Sequence, residues 1–148
     1  MIAARRTHVA LFVLVAVLLV AGAAACRNGV PPAADIASLQ TSLKAAGLQV
    51  GPAATPGKLD AALFTAQSAL ILASKEQVLA YEFPDDSSAQ AAASKVSPDG
   101  SGIGTKYVNW SSTPNYYRRG RLIAIYDGKA KPVTDALAAA MGPRFAGG

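Results

Sequence analysis

Behind two arginines, Arg5 and Arg6, an uncharged apolar run of 17 residues extends from Val9 through Ala25. Past the Gly- and Pro-containing residues 27–34, Ile36, Leu39, Leu43 and Ala46 recur at helical spacing. They predict a short amphipathic helix, capped by Asp35 and stopped at Gly47. Leu48-Gln49-Val50 predicts a short strand before the breakers of residues 51–57. Residues 62–73 are apolar with Thr65, Gln67 and Ser68 interspersed. A turn at Ser74-Lys75-Glu76 leads into residues 78–83, where Leu79, Tyr81 and Phe83 alternate toward one face. This is the pattern of a β-hairpin, ended by Pro84, and its phase places Glu82 toward solvent.

Asp85-Asp86-Ser87-Ser88 predicts the start of a second helix through Ala89, Ala92, Ala93 and Val96, stopped by Ser97-Pro98-Asp99-Gly100. A strand over residues 105–110 and a polar turn over 111–115 come next. Tyr116-Tyr117-Arg118-Arg119-Gly120 then connects to a strand over 121–126. Both faces of that last strand are apolar, Leu122, Ala124 and Tyr126 against Ile123 and Ile125, so it is expected at the centre of a sheet. Asp127-Gly128 turns the chain. Pro132 suits the first turn of a final helix with Val133, Leu137 and Met141 inward, ended by Gly142-Pro143. The order helix, hairpin, helix, hairpin, helix predicts an α+β domain over residues 35–148. Its antiparallel sheet would have four to five strands from two hairpins, with helices packed on it.

The leading stretch changes where this domain is expected to work. Charged residues, a short apolar core and a small-residue end (Ala21-Gly22-Ala23-Ala24-Ala25) are the parts of a secretory signal over residues 1–25. The positive end stays cytoplasmic, so the remainder of the chain is translocated. The single cysteine, Cys26, comes directly after the small residues. The junction resembles the lipobox of bacterial lipoproteins, matching at Ala24 and Ala25 and departing at Ala23, where that family usually has Leu. The resemblance implies a diacylglyceryl and palmitate-type acyl anchor on Cys26, with residues 26–34 as lipidated cysteine and tether. Two alternatives stay open: ordinary cleavage releasing a secreted protein, and an uncut membrane anchor at the short edge of what spans a bilayer. Thr7-His8 does not fit a twin-arginine signal.

Composition then narrows the chemistry. The sole histidine, His8, lies in the leading stretch, so the exported part carries neither imidazole nor a spare thiol. That excludes Ser-His-Asp and Cys-His nucleophiles and His general bases. It also removes zinc and most transition-metal sites, so no metal or cofactor is expected. With a single cysteine there is no internal disulfide, and the fold must stand on burial. Net charge is +5 for the whole chain and +3 without residues 1–25. This mild excess fits loose association with anionic lipid or an envelope polymer and does not argue for nucleic acid.

Three groupings remain as candidates. Gly100-Ser101-Gly102-Ile103-Gly104 comes after a helix and precedes a strand, the reverse of a phosphate loop, and reads as a flexible turn. Asp85-Asp86 reads as capping and dipole compensation rather than calcium binding, and Asp99 alone falls short of an EF-hand. Trp110, Tyr116, Tyr117, Arg118, Arg119 and Arg121 gather within a dozen residues around the expected connection of the second hairpin. Guanidinium groups beside aromatic rings can hold carboxylates, phosphates or sugar faces. Equally, Trp110 and one tyrosine can finish the core while the arginines solvate a sheet edge.

From Tyr81 onward the chain resembles a family of small bacterial exported proteins and lipoproteins. The resemblance is carried by Ser97-Pro98-Asp99-Gly100-Ser101 with Gly104-Thr105, Trp110, and Pro114 with Tyr117-Arg118. It continues in Gly120-Arg121-Leu122-Ile123 and Gly142-Pro143-Arg144-Phe145-Ala146-Gly147. Similar chains carry His-Phe-Tyr-Arg where this one has Asn115-Tyr116-Tyr117-Arg118, which counts against catalysis there. The resemblance implies an envelope class and no site residue. Two functions are therefore expected to compete. One is a non-enzymatic, lipid-anchored module that binds an envelope protein or anionic polymer. The other is a hydrolase of envelope glycan using carboxylates alone, drawn from Glu76, Glu82, Asp99 and Asp127.

Overall fold

The computed structural model describes residues 29–148; the expected signal segment and Cys26 lie outside the described residues. The fold is α+β, as expected. Its elements run α1 (Ile36–Ala45), α2 (Lys58–Ala61), β1 (Gln67–Ala73), β2 (Glu76–Glu82), α3 (Asp86–Ala93), β3 (Gly102–Ile103) and β4 (Lys106–Tyr107). They continue with β5 (Asn115–Arg119), β6 (Leu122–Tyr126), α4 (Lys131–Met141) and β7 (Arg144–Gly147). A five-stranded antiparallel sheet has the order β1-β2-β6-β5-β7, and β3 and β4 form a separate two-stranded ribbon. All five residues of β6 are buried, which fits its apolar faces and its central place.

The strand period of two splits the core cleanly. On one face Ile71, Val78, Ala80, Tyr117, Leu122, Ala124 and Tyr126 meet Leu39 and Leu43 of α1 and Val133, Leu137 and Met141 of α4. On the other, Leu79, Tyr81, Phe83, Tyr116, Ile123 and Ile125 meet Ala89 and Ala93 of α3, with Phe64 and Ile103. Helix α1 starts as its sequence dictates: the Asp35 carboxylate accepts from Ser38 N at 2.7 Å, and Ser38 Oγ accepts from Asp35 N at 2.9 Å. Asp85 caps α3 with its own carboxylate, which accepts from Ser88 N.

Several expectations change. Residues 62–66 are not strand; they leave α2 and carry Phe64 into the second core face, edge-on to Tyr81 at 5.1 Å. Residues 105–110 supply only Lys106–Tyr107, paired with Gly102–Ile103, because Ile103 is drawn into the core. The expected flexible glycine turn is thus a small hairpin. The second sheet hairpin is β5–β6 itself, so residues 116–119 are a strand and not a connecting loop. Val50 makes only an isolated bridge to Ala73. Residues 30–34 are not free tether: Val30 and Ala33 are buried, and Ala33 N donates to Ala140 O at 2.9 Å. Among the described residues, no helix is long and apolar enough to cross a membrane.

Candidate functional site

Turning residues 116–119 into a strand disperses the aromatic and basic cluster. Tyr116 and Tyr117 are both buried, on opposite faces of β5, and burial pushes both phenols up from their ordinary pKa. Arg118 turns toward α3, where its Nη1 pairs with Asp86 at 2.5 Å. Arg121 pairs instead with Glu82 at 2.7 Å. Arg119 is half-buried and forms no ion pair among the described residues. These side chains do not make one site. Core packing and ion pairs account for Tyr116, Tyr117, Arg118 and Arg121.

The candidate carboxylates disperse as well. Glu82 is not solvent-facing. Its side chain is 15% exposed because α1 covers that face, and its second oxygen accepts from Ile36 N at 3.1 Å, at the start of α1. Asp99 accepts from Ser97 Oγ at 2.6 Å and Ser101 N at 3.1 Å, bonds that hold its carboxyl below the usual carboxylate range. That is the wrong direction for a general acid. Asp127 accepts from the backbone N–H groups of Ser111 at 2.7 Å and Ser112 at 2.8 Å, and from Ser112 Oγ at 3.0 Å. Both of its oxygens are engaged in tying this loop to the end of β6. Glu76 accepts from Tyr126 Oη at 3.0 Å.

Trp110 is half-buried and packs against the second core face. Its ring stands edge-on to Tyr116, with centroids 6.0 Å apart, and its Nε1 donates to Gly100 O at 3.0 Å. Tyr116 Oη donates to the same carbonyl at 3.1 Å. Gly100 has φ +74°, and a Cβ there would lie 2.8 Å from both Pro114 and the Tyr116 ring, so this position takes glycine alone. The rest of the indole borders three hollows. The first, about 440 Å³, has Leu79 and Ile125 at its base. Asp60, Gln77, Asn109 and Ser111 stand around it, together with Lys75, Glu76 and Asp127. The second, about 460 Å³, is walled by Leu59, Leu63, Tyr107 and Val108 and shares Asp60, Asn109 and Trp110. The third, about 320 Å³, lies toward Asp99, Thr113 and Pro114. Leu59 is 86% and Tyr107 79% exposed beside this ridge.

Two hydrogen bonds build the surroundings. Tyr81 Oη donates to Asp60 O at 2.6 Å, and Lys106 Nζ donates to Ala62 O at 3.0 Å, so α2 and the β3–β4 ribbon are held against the sheet. Asp60, Gln77 and Asn109 were not legible as site residues. They come from α2, β2 and the loop after β4, and only long-range packing brings them together. Among the described residues, no group of three or more His, Cys, Asp or Glu could hold a metal ion. Comparison with protein-family models, curated proteins and solved structures finds no significant match to this chain.

Proposed function

We propose that this protein is an extracytoplasmic binding module of the cell envelope, and more particularly a lipoprotein anchored through Cys26 that presents the cleft beside Trp110. The resemblance to small exported bacterial proteins belongs to the same reading. The observation that carries it is the position of Trp110 at the meeting of three hollows, on the opposite side of the sheet from Val30. Val30 belongs to the α1/α4 layer. Four residues on from Cys26, its Cα lies within about 14 Å of the Cys26 Cα at full extension. An anchor there holds the α1/α4 layer toward the bilayer and leaves the cleft directed outward.

The second reading, a carboxylate hydrolase, is favoured by one observation: Glu76 and Asp127 border the same hollow as Asp60. Against it, Asp127 is consumed in holding residues 111 and 112, while Glu82 and Asp99 are tied up elsewhere. A binding surface needs none of these groups to exchange a proton.

The anchor is tested by intact mass of the protein recovered from membranes. The expected product begins at an acylated Cys26, and Cys26→Ala shifts the protein to the soluble fraction. A full-length cytosolic chain with its first methionine and a bare thiol would overturn the envelope assignment.

A further inference from the structure

We infer that this side of the sheet binds a long-chain fatty carboxylate. Its alkyl chain lies in the hollow walled by Leu59 and Tyr107, and its carboxylate is directed toward Lys95 and Lys106. The inference rests on the reading of the Trp110 side as the recognition surface, and it names the ligand class. The tail site is the hollow of about 460 Å³. Its apolar side chains are open to a ligand: Leu59, Ala62 and Tyr107 are exposed, and Leu63, Val108 and Trp110 are half-buried. Leu59 from α2 and Tyr107 from β4 are the two most exposed large apolar side chains among the described residues. An alkyl chain laid against them takes that surface out of water.

The head site adjoins the tail site. A hollow of about 490 Å³ lies between α3, residues 63–65 and the β3–β4 ribbon, and it shares Leu63 and Lys106 with the first. Phe64, Phe83 and Ile103 are buried at its base, while the hydroxyls of Thr65, Ser88 and Thr105 border it. So do Lys95 and Lys106, and no carboxylate among the described residues does. Lys95 forms no ion pair among the described residues. Lys106 Nζ donates to Ala62 O at 3.0 Å, which leaves the ammonium further N–H groups to give. Polarity therefore runs one way, from cations and hydroxyls at one hollow to the apolar walls and Asp60 at the other. That order matches an aliphatic anion: the lysines attract its carboxylate and Asp60 repels it from the tail end. A second copy of the chain fits less well, because Asp60 is the only acid in either lining to meet these lysines.

Trp110, the only tryptophan in the chain, borders the tail hollow, and bromine quenches an indole only at close contact. The full chain carrying Cys26→Ala, taken without detergent from the soluble fraction, is titrated with two bromoalkyl probes below their micelle-forming concentrations. One is bromoundecanoate with bromine at the chain end, and the other is the matching bromoundecyl trimethylammonium. We expect saturable quenching by the anion and an apparent affinity about fivefold weaker for the cation. Lys95→Gln should weaken the anion about threefold and the cation not at all, whereas Leu59→Ser should weaken both. Both positions are exposed, so both variants are expected to melt like the wild type. Equal affinity for the two probes, or an anion titration unchanged by Lys95→Gln, would overturn the carboxylate assignment. Emission unquenched by either probe would overturn the site as a whole. So would an unliganded chain that sediments as a dimer and becomes a monomer in Leu59→Ser. None of these outcomes touches the anchor on Cys26, which is read separately from the mass of the membrane-derived protein.

Discussion

The two faces of the sheet are closed by different means. Helices α1 and α4 lay Leu39, Leu43, Val133 and Leu137 on one face, each at most 1% exposed. The other face is covered by the alanine-rich α3, the four-residue α2 and the two-residue strands β3 and β4. Alanine methyls reach only a short way from a helix, so rings fill the gap: Phe64 contacts Tyr81 and Phe83, and Tyr116 contacts Trp110 and Phe145. The three hollows around Trp110 lie on this ringed face. The polar tips of the rings reach backbone carbonyls, as Tyr81 does to Asp60 in α2 and Trp110 to Gly100. Stability should therefore reside mostly on the aliphatic face, and recognition on the face held by polar tips.

The strongest way to break that division is Leu137→Ala. Leu137 is fully buried between α4 and the sheet. Its loss should destabilise the fold by about 2–5 kcal/mol, through lost burial and the cavity left behind. Urea unfolding followed by far-UV circular dichroism measures this, and the emission of Trp110 in the folded state should stay at the wild-type wavelength. A loss under about 1 kcal/mol, or a shifted folded-state emission, would mean that the two faces are not separable in this way.

Asp127→Ala tests the other side. It removes an acceptor shared by two backbone N–H groups and a hydroxyl, for an expected cost of about 1–3 kcal/mol. Its distinguishing result is local. Residues 111 and 112 lose their tie to β6, so Trp110 should become more open to acrylamide quenching while the circular dichroism spectrum is retained. Unchanged quenching would show that the indole is positioned by Gly100 and Tyr116 alone.

The same contrast explains what could be read from the chain beforehand. The aliphatic face was legible because its signals are local: Asp35 capping a 3.6-residue period and Pro132 opening α4. Of the aromatic face, only the alternation of Leu79, Tyr81 and Phe83 was legible. Tyr116-Tyr117-Arg118-Arg119 carries no alternation of apolar and polar residues, because both tyrosines are buried and the two arginines come after them at the strand's end. Strand β7 is Arg-Phe-Ala-Gly, with no β-branched residue, and it exists because β5 offers it a partner. Trp110 was visible as a candidate. Its companions Asp60 and Gln77 were not, since they lie 50 and 33 residues away along the chain.

The smallest effect expected is a gain. Ser74 and Lys75 form the turn between β1 and β2 with φ of +52° and +73°, the only non-glycine residues with positive φ among those described. A two-residue hairpin turn with both φ values positive favours Asn-Gly over Ser-Lys. A side chain in the left-handed region costs about 1–2 kcal/mol, whereas glycine's extra freedom in the unfolded chain takes back about 0.5–1 kcal/mol. Lys75→Gly should therefore stabilise the fold by about 0.5–1 kcal/mol. Thermal melts read this gain, and a melting temperature unchanged or lowered in Lys75→Gly would mean that the left-handed turn holds no such strain.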